Sequence, residues 1–190
     1  MIKSKLLVLF FALIFSVSGF SQKVGFSIGS YYMSPSGDLF EDALGNNHTT
    51  FGLGFHIDGL YFFTEQLAVG LNFQSATIYT SSATIIPYQL SHYGLMGYYR
   101  FNDSNVSPYT SLSIGVSSLK APFNPLGSIS TIRDERRRSF GLKPEIGIEI
   151  NYFYISAAYL FPMEYTFDFL HRGRAGGLQF NFGARFVFLD

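Results

Sequence analysis

The sequence predicts an all-β fold: an eight-stranded antiparallel up-and-down transmembrane β-barrel with short periplasmic turns and long extracellular loops. Three observations predict it. Eight segments alternate large apolar residues with small or polar ones, the chain starts with an export signal, and it carries too little charge to cover a wet surface.

Charged residues make up 14% of the 190, against about 25% in an ordinary soluble domain. Aromatic residues reach 18%, with 22 Phe, 13 Tyr and no Trp, and there are 19 Gly. The formal net charge is zero, so nothing draws the chain towards nucleic acid. There is no Cys, which excludes disulfides, a cysteine nucleophile, thiolate metal sites and a lipidated N-terminal cysteine. His48, His56, His92 and His171 show no metal-ligand spacing. No metal and no cofactor are expected.

Residues 1–21 read as a secretory signal. Lys3 and Lys5 form a positive start, Leu6 to Phe15 is an unbroken apolar run, and Gly19 and Ser21 fit the small-x-small cleavage rule, so the cut is placed before Gln22. The apolar run is shorter than the roughly 20 residues a spanning helix needs. Cleavage removes two lysines and leaves 11 basic against 13 acidic residues in a single domain, 22–190.

The strands follow in order. Val24, Phe26 and Ile28 alternate with Gly25, Ser27 and Gly29. Phe51, Leu53, Phe55 and Ile57 alternate with Gly52, Gly54, His56 and Asp58. Leu67, Val69, Leu71 and Phe73 alternate with Ala68, Gly70, Asn72 and Gln74. Tyr93, Leu95, Gly97, Tyr99 and Phe101 alternate with Gly94, Met96, Tyr98 and Arg100. Leu112, Ile114 and Val116 alternate with Ser113, Gly115 and Ser117. Phe140, Leu142, Ile146, Ile148 and Ile150 oppose Gly141, Lys143, Glu145, Gly147 and Glu149, with Pro144 inside the segment. Proline removes a ladder donor, so a bulge is expected there, or a strand regular only after it. Ile155, Ala157, Tyr159 and Phe161 alternate with Ser156, Ala158 and Leu160. The last segment sets Leu178, Phe180, Phe182, Ala184, Phe186 and Phe188 against Gln179, Asn181, Gly183, Arg185 and Val187. Period two is the strand signature.

Connections alternate in length. Short turns are expected at Phe63–Gln66, Asn102–Asn105 and Asn151–Phe153, and long loops at Ser34–Thr50, Thr80–Leu90, Lys120–Ser139 and Pro162–Gly176. An even strand count with this pattern puts both ends on the periplasmic side.

A soluble barrel would alternate in the same way, so orientation decides. With the apolar face inward, the wet surface would be mostly Gly, Ser, Ala and Asn, which is a poor soluble surface. With it outward, small residues fill a narrow lumen and large apolar ones meet lipid. The aromatics support the second arrangement. Tyr61, Phe62, Phe63, Tyr98, Tyr99, Phe101, Tyr109, Tyr152, Phe153 and Tyr154 gather at the short turns. Tyr31, Tyr32, Tyr79, Tyr88, Tyr93, Phe140 and Phe161 lie near the long-loop ends. Two such belts form an interfacial girdle.

The C-terminal strand carries a polar-x-Gly-x-x-apolar-x-apolar pattern in Asn181, Gly183, Phe186 and Phe188. With the strand pattern, this resembles the small outer-membrane barrels of the OmpA/OmpX type, within the outer membrane protein beta-barrel domain superfamily, over nearly all of residues 22–190. The resemblance implies a bacterial outer-membrane location and delivery by periplasmic chaperones to the barrel-assembly machinery. Many members of that family end on the aromatic itself, whereas here Leu189 and Asp190 follow.

Seven ionisable residues are expected to face the lumen: His56, Asp58, Arg100, Lys143, Glu145, Glu149 and Arg185. Buried charges persist only when paired and hydrogen-bonded, so three acids and three bases read as a structural network in the barrel. The sharper reading is a proton path or narrow ion pore, which eight strands leave little room for. His56 and Asp58 share a face and are placed to orient one another. Some small outer-membrane barrels modify lipid A with Ser, His and an acid. Ser91 and His92 point to opposite faces, which argues against that pair, and no catalytic residue is assigned. The third loop is expected to hold Arg133, Arg136, Arg137 and Arg138, and the fourth Arg172 and Arg174. Arginine suits bidentate phosphate contact, so these are candidate lipopolysaccharide contacts, with a solvated charged loop as the plain alternative. The same loops hold Phe123, Ile129, Ile132, Phe167, Phe169 and Leu170, which suit a partner surface.

The function read from the sequence is a non-enzymatic monomer in the outer membrane with a packed polar interior, acting through its loops. The alternatives are binding or passage of a small apolar ligand, and a lipid A-modifying enzyme. An apolar cavity opening sideways favours the first alternative; a lumen crossed by Arg–Glu pairs favours the platform.

Overall fold

A computed structural model describes residues 23–37, 51–79, 87–123, 133–166 and 172–189. The proposed signal, residues 1–21, lies outside them. Eight strands, β1 (Lys23–Ser36), β2 (Phe51–Phe62), β3 (Leu67–Tyr79), β4 (Tyr88–Arg100), β5 (Val106–Phe123), β6 (Arg133–Ile150), β7 (Phe153–Thr166) and β8 (Arg172–Leu189), meet in sequence order, and β8 closes onto β1. Every neighbouring pair is antiparallel. Closure pairs the two edges that an open sheet would leave bare.

Both ends of the barrel chain lie beside the short turns, since Lys23 pairs with Phe62 on one side and Leu189 on the other. The tightest turn, between β6 and β7, puts Asn151 at φ 55°, a left-handed conformation that Asn tolerates better than most residues. It is braced by Asn151 N donating to Asn105 O at 2.8 Å.

The alternation resolves as the sequence predicts: the apolar face points out. Leu95 and Phe153 leave 71% and 70% of their surface open, while Gln179, Asn181 and Arg185 on β8 are buried between exposed Leu178, Phe180, Phe182 and Phe186. On β6 the outward row reads Ile150, Ile148, Ile146, Pro144, Leu142 and Phe140, and then continues upward as exposed Arg138 and Arg136. Eleven positions, 140–150, therefore form the apolar span of that strand, about what a tilted strand needs to cross a bilayer.

The strands run further than the sequence pattern predicts. The β5–β6 ladder continues to Phe123↔Arg133, so the basic run 133–138 lies on a strand and not in a loop. Arg172 and Arg174 likewise belong to β8, and Ser34, Pro35 and Ser36 pair with it. Pairing needs only backbone, and above the lipid span a strand can carry charge because its side chains stand in water.

Pro144 acts on one side only. Towards β5 the strand is unbroken, with Leu112↔Pro144 in register. Towards β7, among the described residues, the ladder runs only from Glu145↔Ala158 to Ile150↔Phe153. The strand is thus regular after Pro144 on that side, as the missing donor requires.

The sequence predicts a packed polar interior; the interior is instead layered, polar in the middle and apolar towards both ends. Near the short turns Leu60, Phe62, Ala68, Met96, Tyr98, Tyr109 and Tyr154 form one buried cluster. Near the opposite mouth Tyr31, Met33, Ile78, Leu90, Leu119, Leu160 and Tyr165 form another. The polar groups lie mainly between the two. This corrects the girdle: Tyr31, Phe62, Tyr98, Tyr109 and Tyr154 are inside the barrel and at most 2% exposed, while Tyr99, Phe101, Tyr152 and Phe153 face out near the turns and Tyr32, Tyr79, Tyr93, Phe140 and Phe161 face out higher up. An interior just wide enough for side chains takes the tyrosine ring and gives its hydroxyl a partner.

Candidate functional site

The candidate site is the interior polar layer, to which four of the eight strands, β2, β4, β6 and β8, contribute charged or histidine side chains. Its centre is Arg185 on β8. The guanidinium donates to Glu149 of β6 and lies 4.0 Å from Asp58 of β2. It is ringed by Tyr98, Tyr109 and Tyr154, whose ring centroids lie 4.5, 4.9 and 5.0 Å from Cζ. A guanidinium is weakly hydrated and stacks on aromatic faces, so three rings and two carboxylates replace water around it.

Each acid is satisfied more than once. Glu149 accepts from the Tyr98 hydroxyl at 2.8 Å and from Arg100 at 2.5 Å. Asp58 accepts from Ser27 at 2.7 Å and Asn72 at 2.5 Å. Glu145 accepts from the Tyr109 hydroxyl at 2.7 Å and Ser156 at 2.8 Å, and faces Lys143 at 3.4 Å. Lys143 also donates to Gln74 at 3.1 Å. Three acids meet three bases inside one wall, the balance that buried charge demands.

All seven predicted lumen residues therefore point inward, and six join through ion pairs. His56 is the exception to the predicted partnership: it bonds the Tyr154 hydroxyl, while Asp58 bonds Ser27 and Asn72. Sequence reasoning missed the tyrosines, although Tyr98 shares the parity of Arg100 and Met96. It also missed the partners of His92. That ring spans Ser117 at Nδ1 and Ser113 at Nε2, each at 2.9 Å. The signal was Ser113 and Ser117 on one face of β5, opposite an inward His92. A neutral imidazole has one donor and one acceptor, and two hydroxyls satisfy both. His92 is fully buried, so this trio meets neither lipid nor solvent.

In the assembly pattern, Asn181 faces inward and donates to Ser156 at 2.8 Å, and Phe186 and Phe188 face outward. Gly183 has a packing reason of its own. It sits opposite Gly29, and a Cβ there would lie 2.4 Å from the Ile28 carbonyl and 2.6 Å from the Tyr154 hydroxyl. Of the basic residues, Arg136, Arg138 and Arg174 are exposed on the outer wall and Arg137 is half-buried; the side chains of Arg133 and Arg172 lie outside the described set. His48, His171, Ile129, Ile132, Phe167, Phe169 and Leu170 lie outside the described residues, as does the side chain of Phe123. Among the described residues no cluster of His, Cys, Asp and Glu has metal-binding geometry.

No protein-family model and no curated protein matches the chain. Solved structures do. Neisserial surface protein A (NspA) superposes with a TM-score of 0.58 at 15% identity, over 86% of this chain and 95% of that one. The attachment invasion locus protein Ail of Yersinia pestis, crystallised with the heparin analogue sucrose octasulfate, superposes at 0.53 and 19% identity, over 88% and 100%. The outer membrane protein OprG of Pseudomonas aeruginosa follows at 0.50 and 11%, over 88% and 96%. The chain has the fold of the small outer-membrane β-barrels. At these identities the likeness is one of fold, and function has to be argued from the chain's own residues.

Proposed function

We propose that the protein is a non-enzymatic, monomeric barrel of the bacterial outer membrane, whose interior is a structural plug and whose outer rim is its working surface. The observation that carries this reading is the Arg185–Glu149–Arg100 chain across the lumen. Arg185 and Lys143 are buried to within a few per cent, so an ion on this path would have to displace paired charges. The apolar outer wall supports the membrane location, and the C-terminal Asn181, Gly183, Phe186 and Phe188 support delivery through the barrel-assembly machinery.

Planar bilayers test the plug. The expected trace shows no steady, ion-selective openings; their appearance would replace the plug with a pore. The rim reading rests on exposed Arg136, Arg138 and Arg174 directly above the apolar span, at the level where a lipopolysaccharide phosphate would lie. Replacing Arg136 and Arg138 together by Ala is expected to lower the lipopolysaccharide that co-purifies with the barrel. Unchanged lipid content would remove the rim assignment.

A further inference from the structure

The seam between β6 and β7 differs from the other seven. Its ladder stops at Glu145↔Ala158, although both strands continue, β6 back to Arg133 and β7 on to Thr166. Part of the unladdered stretch still lies within the apolar span, where Phe140 and Phe161 are exposed. In hydrocarbon, backbone groups have to find partners within the protein. Pro144 stands at the head of this stretch on β6 and has no N–H to offer β7. The β7–β8 register also shifts between Leu160 and Met163.

Two features flank the seam. Inside, Gln179 sits beside Ala158, level with the last rung. It is fully buried, and among the described residues neither its amide nitrogen nor its amide oxygen has a hydrogen-bond partner. An unpaired buried amide costs about 1–3 kcal/mol per group, so it stands out in a layer whose carboxylates are all satisfied. Outside, just below the last rungs, an apolar groove of about 710 Å³ runs between Ile146, Ile148, Ile155, Phe180 and Phe182.

We propose that the upper β6–β7 seam is a lateral binding site for a single-chain amphiphile with a protonated carboxylic acid or amide head, the head crossing the seam to pair with Gln179 and the tail lying in the outer groove. The chemistry is matched. The Gln179 amide offers one acceptor and two donor hydrogens, and an acid or amide head returns a donor and an acceptor. The groove takes an alkyl chain without removing it from the bilayer, so the tail pays little for docking.

The test uses the full-length protein in phosphatidylcholine vesicles with palmitic acid, or its primary amide, bearing a diazirine beside the head group, followed by irradiation and peptide mass spectrometry. Adducts are expected on inward-facing Leu160 and Gln179 as well as on outward Tyr159 and Leu178. The chain has no cysteine, so Leu142→Cys with Phe161→Cys allows the seam to be locked by oxidation or a short bis-maleimide. Locking is expected to abolish the inward adducts and leave the outward ones, and reduction of the disulfide to restore them. Gln179→Leu, with the seam intact, is expected to lower the inward adducts roughly tenfold, the loss of about one well-made hydrogen bond. Adducts confined to outward residues in the unmodified protein would overturn the proposal. So would inward adducts that persist at the same level in Gln179→Leu or in the locked seam.

Discussion

At the level of single residues, the interior works by mutual satisfaction, and removing one member exposes what it balanced. Arg185→Met keeps the bulk but leaves Glu149 and Asp58 without their shared cation. A buried pair broken from one side typically loses about 3–5 kcal/mol, so urea unfolding of the variant from lipid vesicles should shift strongly to lower denaturant; a midpoint near that of the parent would mean that water replaces the guanidinium. Glycines give a contrast within one barrel. Gly183→Ala drives a Cβ against the Ile28 carbonyl, at a strand-to-strand contact that has no slack, whereas a Cβ at Gly59 meets nothing within 4 Å. Gly183→Ala is therefore expected to refold poorly into vesicles and Gly59→Ala to refold like the parent; equal yields would remove the packing role given to Gly183. Residue parity was legible: His56, Asp58, Arg100, Lys143, Glu145, Glu149 and Arg185 all face in as the alternation predicts. The tyrosines were not, when placed by their nearness to a turn. A tyrosine is half apolar and half polar, so it suits a lipid interface or a tight lumen equally, and only its position in the alternation distinguishes them.

At the level of elements, the lower halves of the strands were easy to read because lipid outside and a narrow lumen inside force strict alternation there. Their upper ends were not, because above the lipid a strand needs pairing but no apolar face. Arg133–Arg138 reads as a charged loop by composition, yet Asp134, Arg136 and Arg138 oppose Pro122, Lys120 and Ser118 in the β5–β6 ladder. The three short turns were legible from their polar residues and from the alternation on either side. The β6–β7 seam was half legible. Pro144 announced a missing donor, but the sequence does not say which neighbour loses it. Amide hydrogen exchange reads this directly: the seam-facing amides within 139–143 and 159–161 are expected to exchange faster than the seam-facing amides within 145–150 and 153–158. Uniform protection along both strands would mean that the upper seam is as well paired as the lower.

At the level of the whole molecule, the apolar wall and the charge-balanced lumen require each other. A barrel with this wall is insoluble in water, and a lumen holding Asp58, Glu145, Glu149, Arg100, Lys143 and Arg185 is tolerable only where each charge has partners. Closure supplies both conditions, since β8 meets β1 over fourteen paired positions from Lys23↔Leu189 to Ser36↔Gly176. The same architecture bears on the proposed function: with the centre filled, the proposed roles fall to the rim and to the seam in the wall. The central claim is that the chain is a closed barrel residing in the outer membrane, and electrophoretic mobility of the isolated outer-membrane fraction tests it most directly. The account predicts that the protein is found there and migrates as a compact band without heating and as an extended one after boiling. Recovery in the soluble periplasmic fraction, with one mobility before and after heating, would contradict it.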